Sequence, residues 1–492
     1  MPTIYEKDFL GKDRVDGFYD TPITTVAYIC SKILPHYKPG MKVLDPAVGD
    51  GVFLEYLASK GVRVCDLYGY DIDDAKIRRL QEIFPNVRLF DATNPFGEKF
   101  DLIVGNPPYN GDESHFVREN RERLEKLSVE IGAKNTFSII SYQAIQCLNP
   151  GGIFSMILSD AFVTNTYYKP FRHYLLKNLR IAEMLLAPWK LFHGRSADVR
   201  TCIITGTKKE DWECVFEVMP SQNPVRLVDR VNGEDEYDNP PKVEVISQHE
   251  IEEYPNQTFL IGVPQRIRAL YLSPPKRLGD IVEGGTGIST GNDKKFLRRS
   301  VEVQGDPAWV PYYKNGARQP YWYQPEYSIE RDYAPNNKST KTYMIRNEKF
   351  FFREGITCSS VGVRFSAAYL PPECLFGVNA NFFFADRVSL FYTLGLLNTK
   401  LAWYFARRVL IRTNNISANY LRLFPYIEAN HGVKKEIAKT VEEVVAAMSG
   451  GHELDFAKIQ EGLDEKFFEL YEFDKRIQTE VHDFCDNFYE RL

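Results

Sequence analysis

Apolar positions along residues 40–210 come in short runs separated by stretches of helical period. KVLD (42–45), LYGYD (67–71), FDLIVG (100–105) and IFSMILS (153–159) read as strands. Between them, FLEYLASKG, DAKIRRLQEIF and TFSIISYQAIQCL place apolar residues three and four apart, the stripe of an amphipathic helix. NPGG (149–152) reads as a turn. This alternation predicts an α/β fold built on a doubly wound, mostly parallel sheet. A polar passage rich in proline and acidic residues, 233–257, marks a border. Beyond it the rhythm is lost until about residue 433, and a region rich in aromatics and Gly/Asn/Pro turns predicts short irregular strands in a mixed α+β domain. From Lys434 the chain is charged and helical in period. The expected domains are 1–245, 246–432 and a C-terminal helical segment, 433–492.

At 492 residues the chain has room for two or three cores. No apolar run is long enough to cross a bilayer, and the N-terminal residues resemble neither a signal nor a transit peptide, so a cytoplasmic enzyme is expected. Eight scattered cysteines form no CxxC and no metal-ligand spacing with the eight histidines, which points to free thiols and to no metal site. The formal net charge of −5 hides an asymmetry. Residues 260–430 carry 23 Lys and Arg against 13 Asp and Glu, a surplus of ten, which leaves the rest at −15. A phosphate-contacting domain attached to an acidic body has this distribution, as does a lysine-rich solvated surface.

The strand KVLD runs into PAVGDGVF. A strand, a glycine turn and a helix bring backbone N–H groups and a positive helix end to a ligand in the crevice at the strand's carboxyl end. Twenty residues past Gly51 the second strand ends in Asp71, suited to a pair of ribose hydroxyls; the third ends in Asp91, suited to an adenine amino group. With Asp45, three acidic residues close three successive strands. Helix capping explains one or two of them. The turn DPAVGDG is not the dinucleotide GxGxxG, which disfavours NAD.

The apolar run 100–104 ends in GNPPYN. Prolines stop a strand and fix the next turn, and a tertiary amide leaves no N–H to compete for a ligand. An exocyclic adenine amine is a poor nucleophile; activating it takes acceptors that hold its N–H groups while positive charge develops on nitrogen. Asn106 offers a side-chain oxygen and Pro107 a carbonyl, Pro107 and Pro108 pre-set the geometry, and Tyr109 offers a ring face.

These motifs, in this order, resemble the class I S-adenosylmethionine-dependent methyltransferases and, through NPPY, the DNA adenine-N6 methyltransferases of gamma arrangement found in restriction–modification. GFYDTP (17–22) resembles their G-x-Y-x-T-P motif, and KLFHGRSADVRTCIITG (190–206) the segment whose Phe192 stacks on the far face of a flipped base. The resemblance implies a Rossmann-like methyltransferase sheet followed by a target-recognition domain. It implies that Tyr19, Thr21, Pro22, Asp45, Pro46, Ala47, Gly49, Gly51, Asp71, Ile72, Asp91, Ala92 and Asn106 hold S-adenosylmethionine, with Asn106, Pro107, Pro108 and Tyr109 catalytic. The chain departs from the family at Asn135-Thr136-Phe137, where Asp-Leu-Tyr is common.

The implied substrate is double-stranded DNA, with a separate restriction endonuclease or defence subunit as a further partner. The implied location is the nucleoid of a bacterium or archaeon, or a phage-infected cell. Flipping a base costs a few kcal/mol that contacts elsewhere must offset. Candidate phosphate ligands in the basic segment are Lys294, Lys295, Arg298, Arg299, Lys314, Arg318, Arg407, Arg408, Arg412 and Arg422; candidate base readers are Asn292, Arg412, Asn414 and Asn415. An RNA or protein-glutamine methyltransferase, and a bifunctional restriction enzyme, remain the alternatives.

Overall fold

The computed structural model describes residues 21–111, 114–189, 191–192, 199–210, 222–336, 342–359, 364–411 and 416–487. Tyr19, Arg412, Asn414 and Asn415 lie outside them. Two compact units divide the chain, Met1–Gly262 and Val263–Leu492.

In the first unit, helix α1 (Ile23–Ser31) precedes β1 (Val43–Asp45), α2 (Val52–Ser59), β2 (Leu67–Asp71), α3 (Asp74–Gln81), β3 (Asn86–Leu89) and β4 (Phe100–Gly105). Helices α4 (His115–Glu119), α5 (Arg121–Leu127) and α6 (Thr136–Cys147) lead to β5 (Leu148–Ser159). Then come α7 (Ala161–Thr164), α8 (Lys169–Asn178), β6 (Leu179–Leu186), β7 (Thr201–Lys208), β8 (Pro224–Val228) and β9 (Val243–Ser247). The sheet order is β3-β2-β1-β4-β5-β7-β6-β8-β9. Strands β3 to β5 are parallel, and β7 runs antiparallel between β5 and β6.

The expected strands are present because their apolar runs are covered on both faces: Val43, Leu44, Leu102, Ile103 and Val104 are buried. The NPGG segment is no separate turn, since the ladder of β5 already begins at Leu148, opposite Phe100, and irregular register absorbs the extra residues. Winding proceeds outward from β1 through β2 to β3 and, on the other side, from β4 to β5. The reversal between β1 and β4 makes the crevice in which α/β sheets bind ligands.

The first unit extends past the expected border at 245. Strand β9 pairs antiparallel with β8, and Gln248, fully buried, donates to the carbonyls of Leu176 and Leu179 and accepts from Ile181 N–H. The polar composition of this passage belongs to an edge strand that leaves Val243 and Val245 exposed and buries Ile246.

The second unit holds two small four-stranded sheets. One is ordered Glu283–Gly285, Asn381–Phe383, Gly355–Cys358, Ala367–Leu370; the other Leu297–Arg299, Tyr327–Glu330, Trp309–Tyr313, Leu375–Phe376. Its aromatic core includes Tyr312, Tyr313, Tyr343, Phe350, Phe376 and Phe383. The C-terminal helices are not set apart at 433. The helix His431–Ser449 packs on Arg387–Leu397, where a Cβ on Gly395 would lie 3.0 Å from Val441 Cγ2.

Gly105 closes β4 at φ +148°, and a Cβ there would lie 2.7 Å from Asp45 Oδ1. Gly105→Ala is therefore expected to cost about 1–3 kcal/mol through backbone strain and displacement of Asp45. A thermal melt should show it as a lower Tm beside Gly97→Ala, whose added Cβ meets nothing within 4 Å; equal melts would contradict the contact.

Candidate active site

Asp45 ends β1 in the middle of the sheet and is 1% exposed. Its Oδ1 accepts from Ala47 N–H at 3.1 Å, while Oδ2 has no protein partner. Burial raises its carboxyl to about 7, opposed by the Ala47 N–H and reinforced by the negative Asp71. The chain then turns through Pro46, Ala47, Val48 and Gly49, with Val48 N–H donating to Tyr70 O at 2.8 Å. Gly51 enters α2 at φ +89°, where a Cβ would come within 2.5 Å of Leu80 Cδ2; the left-handed backbone and the close helix both require glycine.

Asp71 ends β2 and is held at both oxygens: Gly49 N–H donates to Oδ2 and Asp73 N–H to Oδ1, each at 2.9 Å. Burial raises its carboxyl, and those two N–H groups oppose the rise. Ile72, beside it, is 38% exposed, and Ala92 is buried. Asp91, expected to end the third strand, lies two residues beyond β3, in the turn, and is heavily engaged there. Its Oδ1 accepts from Thr93 N–H and Thr93 Oγ1 at 3.0 and 2.6 Å, and its Oδ2 pairs with Arg123 at 2.9 Å. Arg123 also donates to Thr93 Oγ1, Asn94 Oδ1 and Asn120 Oδ1, so one guanidinium ties the turn after β3 to α4 and α5. Nothing in the charged run RERLEK distinguishes this arginine.

The turn 106–110 leaves β4 beside Asp45. Asn106 Nδ2 donates to Thr21 Oγ1 at 3.0 Å, and Asn106 Oδ1 accepts from Tyr109 OH. Thr21 is buried immediately before Pro22, which caps α1. The Tyr109 hydroxyl also reaches Ile157 O at 3.2 Å. Pro108 O accepts from Thr136 Oγ1 at 2.5 Å, the same Oγ1 accepts from Asn110 N–H at 2.9 Å, and Thr136 N–H donates to Asn110 O at 2.9 Å. Thr136 thus pins the proline turn, Asn135 caps α6, and Phe137 lies edge-on to Tyr109 at 6.1 Å. The triplet that departs from the common pattern is the support of the turn; sequence spacing carries no sign of that contact. Phe192 lies 6.4 Å from Tyr109, ring to ring, tilted by 45°.

In the second unit Lys294, Lys295, Arg298, Arg299 and Arg318 are exposed. Arg299 and Arg318 share Glu326, Lys314 pairs with Asp293 at 2.6 Å, and Arg298 lies over Trp309. Asn292 caps the short helix Asp293–Phe296. Arg422 is spent on the carbonyls of Val282 and Gly284. Arg407, expected as a phosphate ligand, is 6% exposed within the π-helical turn Phe405–Leu410, so packing takes its guanidinium off the surface. Arg408 is half-buried, 5.8 Å from the ring of Phe484.

Residues 60–188 match the Eco57I restriction-modification methylase family. This segment runs from the end of α2 through β6 and contains Asp71, Asp91 and the proline turn. The type II methyltransferase M.VspI of Vibrio sp. (strain 343) is 25% identical over 61% of this chain and 70% of its own length. The adenine-specific methyltransferase PglX of Lacticaseibacillus casei (strain Zhang) is 23% identical over 61% of this chain, which spans only 27% of PglX. The Type IIL restriction-modification enzyme MmeI, solved in complex with DNA, shares the fold at a TM-score of 0.60 and 13% identity, covering 95% of this chain and 76% of its own. These sequence relatives are methyltransferases, and the chain's own fold is α/β with a large, mostly parallel sheet. No described helix is long and apolar enough to cross a membrane.

Asp45 binds its proton more tightly in the folded chain, at about 7, than the roughly 3.9 of an unfolded aspartate. Folding stability contributed at this residue is therefore lost as pH rises from about 4 to 7, at up to about 1.4 kcal/mol per pH unit, and is level above that. Asp45→Asn removes this dependence. The Tm advantage of the variant should grow between pH 5 and pH 7; an advantage that stays constant would show that Asp45 ionises as it does in water.

Proposed function

We propose that this chain transfers a methyl group from S-adenosylmethionine to the N6 amine of an adenine flipped out of double-stranded DNA at a specific sequence. The observation that carries the reading is the meeting of two motifs at the β1/β4 crevice. There Asp45, at the start of the glycine turn, lies beside Gly105, at the start of the rigid Asn106–Tyr109 turn, and Asp71 holds the glycine turn through Gly49 N–H.

The residues fit the cofactor. Asp45 Oδ2 is a buried acceptor that no protein group satisfies, Asp71 is oriented by two N–H groups, and the left-handed Gly51 turns the chain into the N-terminus of α2. Asp71 has lone pairs left for ribose hydroxyls and Asp91 for an adenine amine, while Thr21, Pro22, Pro46, Ala47, Gly49, Ile72 and Ala92 line the remainder. The sulfonium supplies an electrophilic methyl.

Activation of the amine falls to the proline turn. Asn106 Oδ1 is already a hydrogen-bond acceptor for Tyr109, and Asn106 Nδ2 donates to Thr21 Oγ1 at the other end of the amide. An entering N6 amine takes the place of the Tyr109 hydroxyl, which keeps Ile157 O as a partner. The Pro107 carbonyl, flanked by the tertiary amide of Pro108, accepts the second N–H. Two acceptors held in place before the reaction favour the pyramidal, positively charged nitrogen of the transition state. The faces of Tyr109 and Phe192 receive the base.

Lys294, Lys295, Arg298, Arg299, Arg318 and Arg408 supply phosphate contacts that offset the cost of flipping. The two arginines on Glu326 keep a surplus positive charge there. DNA in the cytoplasm is the partner, with a restriction endonuclease or defence subunit as the second.

DNA from cells expressing the protein, sequenced by a method that reads N6-methyladenine, should carry the modified base at one recurrent sequence. Asn106→Ala should reduce it at least 10²–10³-fold, the usual cost of removing a transition-state hydrogen-bond partner. No modified base in either culture would overturn the choice of DNA as substrate.

A further inference from the structure

The segment that carries Phe192 follows β6, and its course is set by a residue from β8's far end. Arg230 Nη2 pairs with Asp160 Oδ2, and Arg230 Nη1 donates to Ala187 O. The side chains of Arg230 and Asp160 are 7% and 6% exposed. The same guanidinium lies 4.5 Å from the ring of Trp189, with Arg200 at 5.6 Å from that ring. Backbone bonds from Ala187 N–H to Thr201 O, Asp160 N–H to Arg200 O and Val231 N–H to Leu186 O close the cluster. Planar stacking and forked donation in one group are properties of arginine that lysine lacks.

This cluster bears on the gap between Tyr109 and Phe192. A base stacked on both rings needs about 7 Å between them, two layers of about 3.5 Å. The rings stand 6.4 Å apart and tilted, close to that spacing without a base. Phe192 lies three residues beyond Trp189, so the clamp fixes the origin of the segment that carries the ring. Strand β8, from whose end Arg230 comes, lies beyond the β3-to-β6 sheet that holds Asp45, Asp71 and Asn106.

We propose that Arg230 is a positioning residue for the target base: by binding Asp160, Ala187 O and the face of Trp189 together, it holds Phe192 at stacking distance from Tyr109. The proposal rests on the adenine-methylation reading for the nature of the base, and on geometry alone for the clamp.

The test uses the full chain with Arg230→Met, Arg230→Lys, Phe192→Leu and the double variant Arg230→Met/Phe192→Leu. Methyl transfer from tritiated S-adenosylmethionine to unmethylated plasmid DNA should fall 10- to 100-fold in kcat for Arg230→Met. Its cofactor Kd should stay within twofold, Arg230→Lys should be intermediate, and the double variant should be no worse than Phe192→Leu alone. Losses that multiply in the double variant, or an Arg230→Met enzyme within twofold of wild type, would overturn the proposal. So would an equal weakening of cofactor binding, the mark of a general structural role.

Hydrogen exchange separates this failure from that of the functional reading. In Arg230→Met the peptide covering 186–192 should exchange at least tenfold faster while that covering 100–111 is unchanged. If wild type transfers no methyl group to DNA, the choice of substrate falls and exchange decides the clamp; unchanged exchange at 186–192 then overturns it.

Discussion

The contact on which the site depends is the parallel pairing of β1 with β4. Val43 and Leu44 lie beside Leu102 and Ile103, so the ends of the two strands, Asp45 and Gly105, emerge together. Each strand belongs to a different motif, one ending in an acid and a glycine turn, the other in a proline turn. Only a residue without a side chain at position 105 lets the two turns approach as closely as they do. The winding reversal at this pair opens the crevice, and short apolar strands buried on both faces hold the register.

Rigidity is added around that junction by side chains from elsewhere in the first unit. Thr21 reaches Asn106 from the start of α1, Thr136 holds Pro108 and Asn110 from the start of α6, and Arg123 engages Asp91 from α5. Each is a small polar device in a mostly apolar setting, where a satisfied hydrogen bond is strong and an unsatisfied one costly. The exception is Asp45, whose second oxygen lacks a protein partner and whose proton is held up to about 7. A buried acceptor left open in an otherwise satisfied network is a feature of ligand sites.

The second unit shows the limit of counting charges. The basic surplus of 260–430 was legible, yet its members differ in availability: Arg407 is buried, Arg422 serves two backbone carbonyls, and Arg299 and Arg318 divide one glutamate. Charge is a property of composition, whereas exposure and pairing depend on how the chain packs.

The strands, the glycine turn, the strand-end acids and the proline turn could be read in the linear chain, because each is a local pattern: an apolar run, a backbone requiring glycine, a φ locked by proline. Their order also implied a parallel sheet. What the linear chain did not contain was which distant groups meet. Thr136 lies 28 residues from Pro108, Arg123 lies 32 from Asp91 and Arg230 lies 70 from Asp160. No periodicity connects such pairs. The edge strand β9 was likewise hidden in polar composition until β8 supplied a partner. Local sterics and hydrophobic pattern act over a few residues and so are written in the sequence; long-range hydrogen bonds and burial exist only once the sheet has brought remote segments together.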